Sequence, residues 1–353
     1  MKRRILALCL LLLWSPALVK AQQPPPEYRT RQSQCRHEPP TGTALQIRRT
    51  DSGTKTHGYT AERVLTFAAD AGRLNGGDIL ICTEYGRVEI EDSDDNEVRL
   101  QIRMEGFGEG SEEPSEAAAR AIAETEIRAF MTSDNGRLTV RVWHPTLGFT
   151  NPGAQPAWVG VRLQVPARGA YRVRTEAFHG NVVVRRLTLA AATLRGAVGD
   201  KYKGIPGFLF GTELDNVALA GDIDIDNLAG LPGIRAAATA QQVPLAAPIF
   251  VKARVVGNSR LTAVTGGDIR IAIQPAPNLG IRAVGESGTG TVRVGIDAGV
   301  TRDTVGNESF RVRREVLSPD FDRAALRIEI RAASAPGSVL IAAVPNAPLP
   351  RPR

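Results

Sequence analysis

Residues 221–230 read "GDIDIDNLAG", with three aspartates at alternate positions around Ile223 and Ile225. Side chains of an extended strand alternate between its two faces. The two isoleucines therefore seek a common core, and Asp222, Asp224 and Asp226 face solvent. The same Gly–polar–aliphatic–x–aliphatic unit returns as "GNVVV" at 180, "GDIRI" at 267, "GTVRV" at 290 and "GSVLI" at 337. Successive units lie 41, 46, 23 and 47 residues apart, one or two multiples of about 22. Earlier relatives are "GDILI" at 77, "GRVEI" at 86 and "GRLTV" at 136. A period of this length belongs to stacked coils, none of which buries its apolar side alone. The expected fold is all-β, a β-solenoid of stacked short-strand coils. Ile223, Ile225, Ile269, Ile271, Val292 and Val294 would form inward ladders, with Asp224, Arg270 and Arg293 aligned outside. An antiparallel sandwich whose turns happen to use Gly is the rival.

Upstream of the repeats, short alternating runs such as "RVLTFAA", "DILICT", "RVEIED", "EVRLQIRM" and "WVGVRLQVP" are bounded by turn residues, as strands are. One stretch breaks the pattern. In "SEEPSEAAARAIAETEIRAFM", Pro114 suits a first helical turn and the alanines that follow favour a helix over 114–124. The sequence thus divides into a β-rich region with one short helix (44–165), a glycine-punctuated solenoid (166–345) and a Pro-rich tail (346–353).

Residues 1–21 have the layout of a secretory signal peptide. Lys2, Arg3 and Arg4 precede an apolar run that is too short to span a membrane, and Val19 and Ala21 fit a cleavage site. A retained N-terminal anchor is the alternative. Loss of Lys2, Arg3, Arg4 and Lys20 lowers the formal charge from +7 to +3, so the basic balance is partly an export device and argues for no nucleic-acid partner. A polar, Pro-rich leader follows at 22–43. In an oxidising compartment the two mature cysteines, Cys35 and Cys82, most simply pair; two free buried thiols are the other reading. No transmembrane span is expected after cleavage. Localisation is read as periplasm, cell envelope or extracellular.

The run "VRLQIRMEGFGEGSEEPSEAAARAIAETEIRAFMTSDNGRLTVRVW" resembles the strand–short helix–strand–"G-x-L-x-V" module of the bacterial candidate-adhesin family, extracytoplasmic β-solenoid domains of mostly unknown function. The following "VRLQVPARGAYRVRTEAFHGNVVVRRL" is similar to that family's next segment, and the likeness covers roughly residues 60 to 342. It implies a non-catalytic scaffold or adhesin-like surface protein and brings no catalytic or binding residues with it. The stretches 200–215 and 231–250 depart from the coil pattern.

Chemical constellations are few. Calcium needs six to eight oxygens from several directions, and the line Asp222, Asp224, Asp226 supplies them from one strand only, so a solvated wall is the plainer reading and a cation site the sharper one. Asp92, Asp94 and Asn96 have calcium-loop spacing, but Glu97 stands where such a loop needs Gly, which reads as an acidic hairpin turn. "GESGTGTV" at 285–292 lacks the Lys-Ser/Thr pair of a phosphate cradle and reads as a tight turn. His37, His57, His144 and His179 are scattered, and neither HExxH nor GxSxG occurs. No enzyme and no cofactor are implied. A β-helical carbohydrate-active enzyme using solvent-face carboxylates is the alternative. Ile205, Phe208, Leu209 and Phe210 form an apolar loop in a chain with only 5% aromatic residues, either a contact loop or a cap on the stack. The expected partner is an unidentified protein or glycan of the envelope or surface.

Overall fold

The computed structural model describes residues 44–45, 48–50, 59–67, 74–93, 97–106, 127–143, 158–196, 211–227, 247–296, 300–305, 312–334 and 337–343. The signal and leader segments, Cys35, the helix expected over 114–124, the loop of Ile205 to Phe210 and the tail lie outside them. The described chain is all-β. Its one helical element is the single 3-10 turn Phe321–Arg323.

The strands are β1 (Ala44–Leu45), β2 (Arg48–Thr50), β3 (Tyr59–Phe67), β4 (Gly77–Ser93), β5 (Val98–Gly106), β6 (Ile127–Asp134) and β7 (Arg137–Trp143). Then come β8 (Trp158–Pro166), β9 (Ala170–Arg185), β10 (Thr188–Gly196), β11 (Thr212–Asp226), β12 (Ile249–Val255), β13 (Ser259–Thr265) and β14 (Ile269–Ile273). The last are β15 (Leu279–Ser287), β16 (Val292–Gly295), β17 (Val300–Val305), β18 (Val312–Leu317), β19 (Leu326–Ser334) and β20 (Val339–Ala343).

These strands make one curled sheet built from two parallel ladders. The first runs β7–β4–β9–β10–β11–β13–β19–β15. The second runs β8–β4–β9–β11–β12–β14–β20–β16. The long strands β4, β9 and β11 belong to both: each bends midway and supplies one half to each ladder. Antiparallel strands close the ends. β6 and β1 cover β7, β18 and β17 cover β15, and β5, β3 and β2 extend β8.

Register explains the apolar alternation. Val140, Ile79, Val173, Ala192, Ile223, Leu261, Ile330 and Ala283 stand side by side across the first ladder, all buried. Thr212, Ile249, Ile269, Val339 and Val292 do the same in the second. Each fully buried Val, Ile or Leu contributes about 1.5–3 kcal/mol. The expected inward isoleucines are therefore inward, but they do not share a ladder. Ile223 and Ile225 lie beside Leu261 and Ala263, whereas Ile269 and Ile271 lie beside Val339 and Ile341, which in turn pair with Val292 and Val294. One "Gly–x–aliphatic" unit opens a strand in the first ladder and another opens one in the second, because the pattern marks any entry into a strand.

The bends between ladders carry a second regularity. Thr265, Ser334 and Ser287 are register neighbours, each wholly buried. Ser334 Oγ donates to the Gly267 carbonyl (2.7 Å) and accepts from the Gly337 N–H (2.9 Å). Ser287 Oγ donates to the Gly337 carbonyl (2.8 Å) and accepts from the Gly290 N–H (2.8 Å). Each hydroxyl thus closes its own bend and hooks onto the next, satisfying backbone groups that burial would otherwise penalise. Gly337 is required here, since a Cβ on it would lie 2.2 Å from the Gly267 carbonyl oxygen.

The acidic segment after β4 is not a hairpin turn. β8 lies between β4 and β5, so these two strands do not pair as a hairpin.

Candidate functional site

The outer side of the first ladder carries the aspartates singled out above. In one row Arg172, Ala191, Asp222, Arg260, Glu329 and Arg282 are successive neighbours. Asp222 is exposed, Asp224 beside Thr193 and Thr262 is half-buried, and Asp226 beside Val264 is only 3% exposed. The expectation that all three face solvent therefore fails at Asp226. Strand alternation sets which side a residue occupies, but the outer side is covered where β11 ends at the buried bend residue Asn227. Asn227 Nδ2 donates to the Ala247 carbonyl (3.1 Å), and its Oδ1 accepts from Thr212 Oγ1 (2.8 Å).

The expected alignment of the aspartates with Arg270 and Arg293 also fails, because both arginines are in the second ladder. Arg270 lies over the Phe250 ring, 5.8 Å from its centroid, and Arg293 neighbours Leu340. The actual neighbour of Asp222 is Arg260, whose Nε is 4.0 Å from Glu329 Oε2.

A shallow groove of about 250 Å³ opens here, lined by Asp222, Asn258, Ser259, Arg260, Phe321, Arg327 and Glu329. Its roof is the helical turn. Gly280 lets that turn approach, since a Cβ there would be 3.0 Å from the Phe321 backbone. Asn258 Oδ1 accepts the Arg327 N–H (3.0 Å), and Ser318 Oγ accepts the Ile281 N–H (2.9 Å), which together pin the roof to the ladder. The groove offers two carboxylates, two guanidinium groups, an amide and an aromatic ring.

Two further carboxylates are buried but engaged. Glu91 Oε1 accepts from Arg162 Nε (2.7 Å) and Gln164 Nε2 (3.1 Å). Glu286 lies 3.4 Å from Arg331 and 3.7 Å from Arg313. Among the described residues no three His, Cys, Asp or Glu side chains gather closely enough to hold a metal ion. Burial raises the Tyr171 hydroxyl well above the ordinary phenol range, so it stays a donor, to the Pro166 carbonyl at 2.6 Å. Cys82 is buried at 4% exposure.

No protein-family model matches the chain, and no curated protein does. Some solved structures are similar in part. One is a candidate cell adhesion protein from Clostridium sporogenes, 8% identical, with 80% of this chain and 100% of that one covered at a TM-score of 0.34. Another is a candidate adhesin from Bacteroides fragilis, also 8% identical, covering 80% and 97% at 0.23. A candidate adhesin from Parabacteroides distasonis is 10% identical, covering 81% and 97% at 0.24.

The sequence pointed to Asp222 but missed Asn258, Phe321, Arg327 and Glu329. The turn-rich strings "VGNSR" and "SPDFDR" were the available signals. No helix among the described residues is long and apolar enough to cross a membrane.

Proposed function

We propose that this chain is an exported, non-catalytic β-solenoid scaffold of the cell envelope or surface, adhesin-like in role. In this reading residues 1–21 are removed on export, Cys35 bonds to Cys82, and the loop of Ile205, Phe208, Leu209 and Phe210 is a contact loop or cap. The observation that carries it is how the outer charges are used. In the part of the first ladder from β13 to β15 and its cover β18 they are matched strand to strand, Arg260 with Glu329, Arg282 with Glu315 at 3.1 Å, and Arg331 and Arg313 with Glu286. Carboxylates tied to arginines in this way strengthen a wall; they do not face each other across a cleft as an acid–base pair does. The test is fractionation of the native cell with an antibody. Recovery of the processed chain from envelope, periplasm or medium is expected, and an unprocessed cytoplasmic chain would refute the proposal.

One observation favours the enzyme alternative. Asp222 and Glu329 line the same groove on either side of Arg260, two strand spacings or about 10 Å apart at the backbone. That is near the separation of inverting glycosidase carboxylates, about 6.5–9.5 Å. Reducing-sugar release from acidic and neutral polysaccharides, abolished by Asp222→Asn and by Glu329→Gln, would replace the scaffold reading.

A further inference from the structure

The first ladder is electrostatically uneven. From β11 to β18 the outer arginines Arg260, Arg282, Arg313 and Arg331 have carboxylate partners, as described. Towards β7 the pattern changes. Arg141, Arg172 and Arg174 are exposed and make no ion pair among the described residues. Nearby, Asp78 is engaged by Arg137 at 3.4 Å. Register fixes the layout: Arg141 and Arg174 flank Leu80, while Phe130 sits opposite Arg141 on β6.

Adjacent strands are about 4.8 Å apart and alternate residues about 7 Å apart along a strand. Arg141 and Arg174 are therefore about 10 Å apart across β4, and Arg172 lies about 7 Å from Arg174 along β9. Three guanidinium groups are held on a rigid sheet beside a half-buried ring. Each is a planar fork suited to bidentate capture of carboxylate or sulfate.

We propose that this arginine face binds a linear acidic polysaccharide. The inference deepens the surface-scaffold reading and rests on it. An extended polyanion fits because the guanidinium groups are spaced about 7–10 Å apart along and across the strands, a scale of one to two sugar units. Arginine supplies paired donors to the acid groups, and Phe130 offers a stacking face for a sugar ring. A membrane fits less well. The exposed large hydrophobic residues among those described are Val256, Val312 and Leu340, none of them on this patch to insert into lipid.

The experiment measures binding of the full exported protein to polygalacturonate, dextran sulfate and neutral dextran, with vesicles of phosphatidylglycerol and phosphatidylcholine as a separate arm. Wild type should bind the acidic polymers, more weakly as salt rises, and ignore neutral dextran. The triple variant Arg141→Thr/Arg172→Thr/Arg174→Thr should lose at least about tenfold in affinity. The control triple Arg254→Thr/Arg293→Thr/Arg323→Thr removes the same charge from exposed positions outside both this face and the groove, and should stay within about twofold. Unchanged circular dichroism and melting temperature in both variants would show that folding is intact. The proposal is overturned by absence of wild-type binding, by equal losses in the two variants, or by stronger retention on anionic vesicles than on the polysaccharides. In each of those cases an envelope location found by fractionation would leave the scaffold reading standing.

Discussion

Two glycines in consecutive strands should respond oppositely to the same substitution. A Cβ built on Gly285 of β15 lies 2.7 Å from Val292 Cγ1, 3.3 Å from Val339 Cγ1 and 3.5 Å from Val294 Cγ2. Those valines belong to the second ladder, so Gly285 marks where the ladders press together. A Cβ on Gly295 of β16 meets nothing within 4 Å. Replacing Gly by Ala restricts the unfolded chain and should stabilise both positions by about 0.4–1 kcal/mol. Only Gly285→Ala also overpacks the core, at a cost of about 1–3 kcal/mol. The chain-entropy contribution is common to the two, so the difference between the variants isolates the clash. Urea denaturation with linear extrapolation would measure it, and Gly295→Ala should come out neutral or stabilised. Adding Val292→Ala to Gly285→Ala vacates the nearest methyl, so the pair should couple favourably by about 0.5–3 kcal/mol in a double-mutant cycle. Equal stabilities for the two Gly→Ala variants, with no coupling to Val292, would refute the facing of the ladders at this point.

Tyr171→Phe should cost about 1–3 kcal/mol by leaving the Pro166 carbonyl unpaired. Its raised folded-state pKa stabilises fully below about pH 10, where the unfolded phenol is neutral too, and that contribution falls as pH rises further. Alkaline denaturation curves should therefore be flatter for Tyr171→Phe than for wild type. Asp222→Asn should change stability by less than about 0.5 kcal/mol and Asp226→Asn, at a buried site, by about 1–3 kcal/mol. A calcium-dependent rise in melting temperature lost in both variants would instead identify a cation site. Mass spectrometry of non-reduced, alkylated protein should show Cys35 bonded to Cys82, a link across 47 positions contributing about 3–4 kcal/mol; two alkylated cysteines would exclude the bond.

Much of the all-β character was legible because a period of two is a local signal. The alternation in "GDIDI" places Ile223 and Ile225 inward without knowledge of any neighbour. Which strand lies beside which was not legible, because pairing partners are chosen over long separations. The Gly–x–aliphatic unit looks alike at the entry to either ladder, so Asp224 was matched to Arg270 and Arg293 when its neighbours are Thr193 and Thr262. The bend hydroxyls could have been found: "TGG" at 265, "SGTG" at 287 and "SAPG" at 334 each place a hydroxyl two or three residues before the glycine. The groove could not, since Asp222, Asn258 and Glu329 converge only through the registers of β11, β13 and β19.

The order of strands explains how the sheet ends. β19 and β20 come last in the chain yet sit between β13–β14 and β15–β16. At the other end β4 lies between β9 and the later strands β7 and β8. In each case the chain skips a place in the ladder, and the intervening segments supply antiparallel strands, β5 and β6 at one end and β17 and β18 at the other. A bare parallel edge would template pairing with another chain, so a sheet of this kind needs its ends covered. Skipping a place frees chain to make the cover without lengthening the ladder. Among the described residues the second ladder ends on β16, which is four residues long, carries an exposed Arg293 and finishes at Gly295. A short, charged strand is a poor template, and it limits edge growth where no antiparallel strand does.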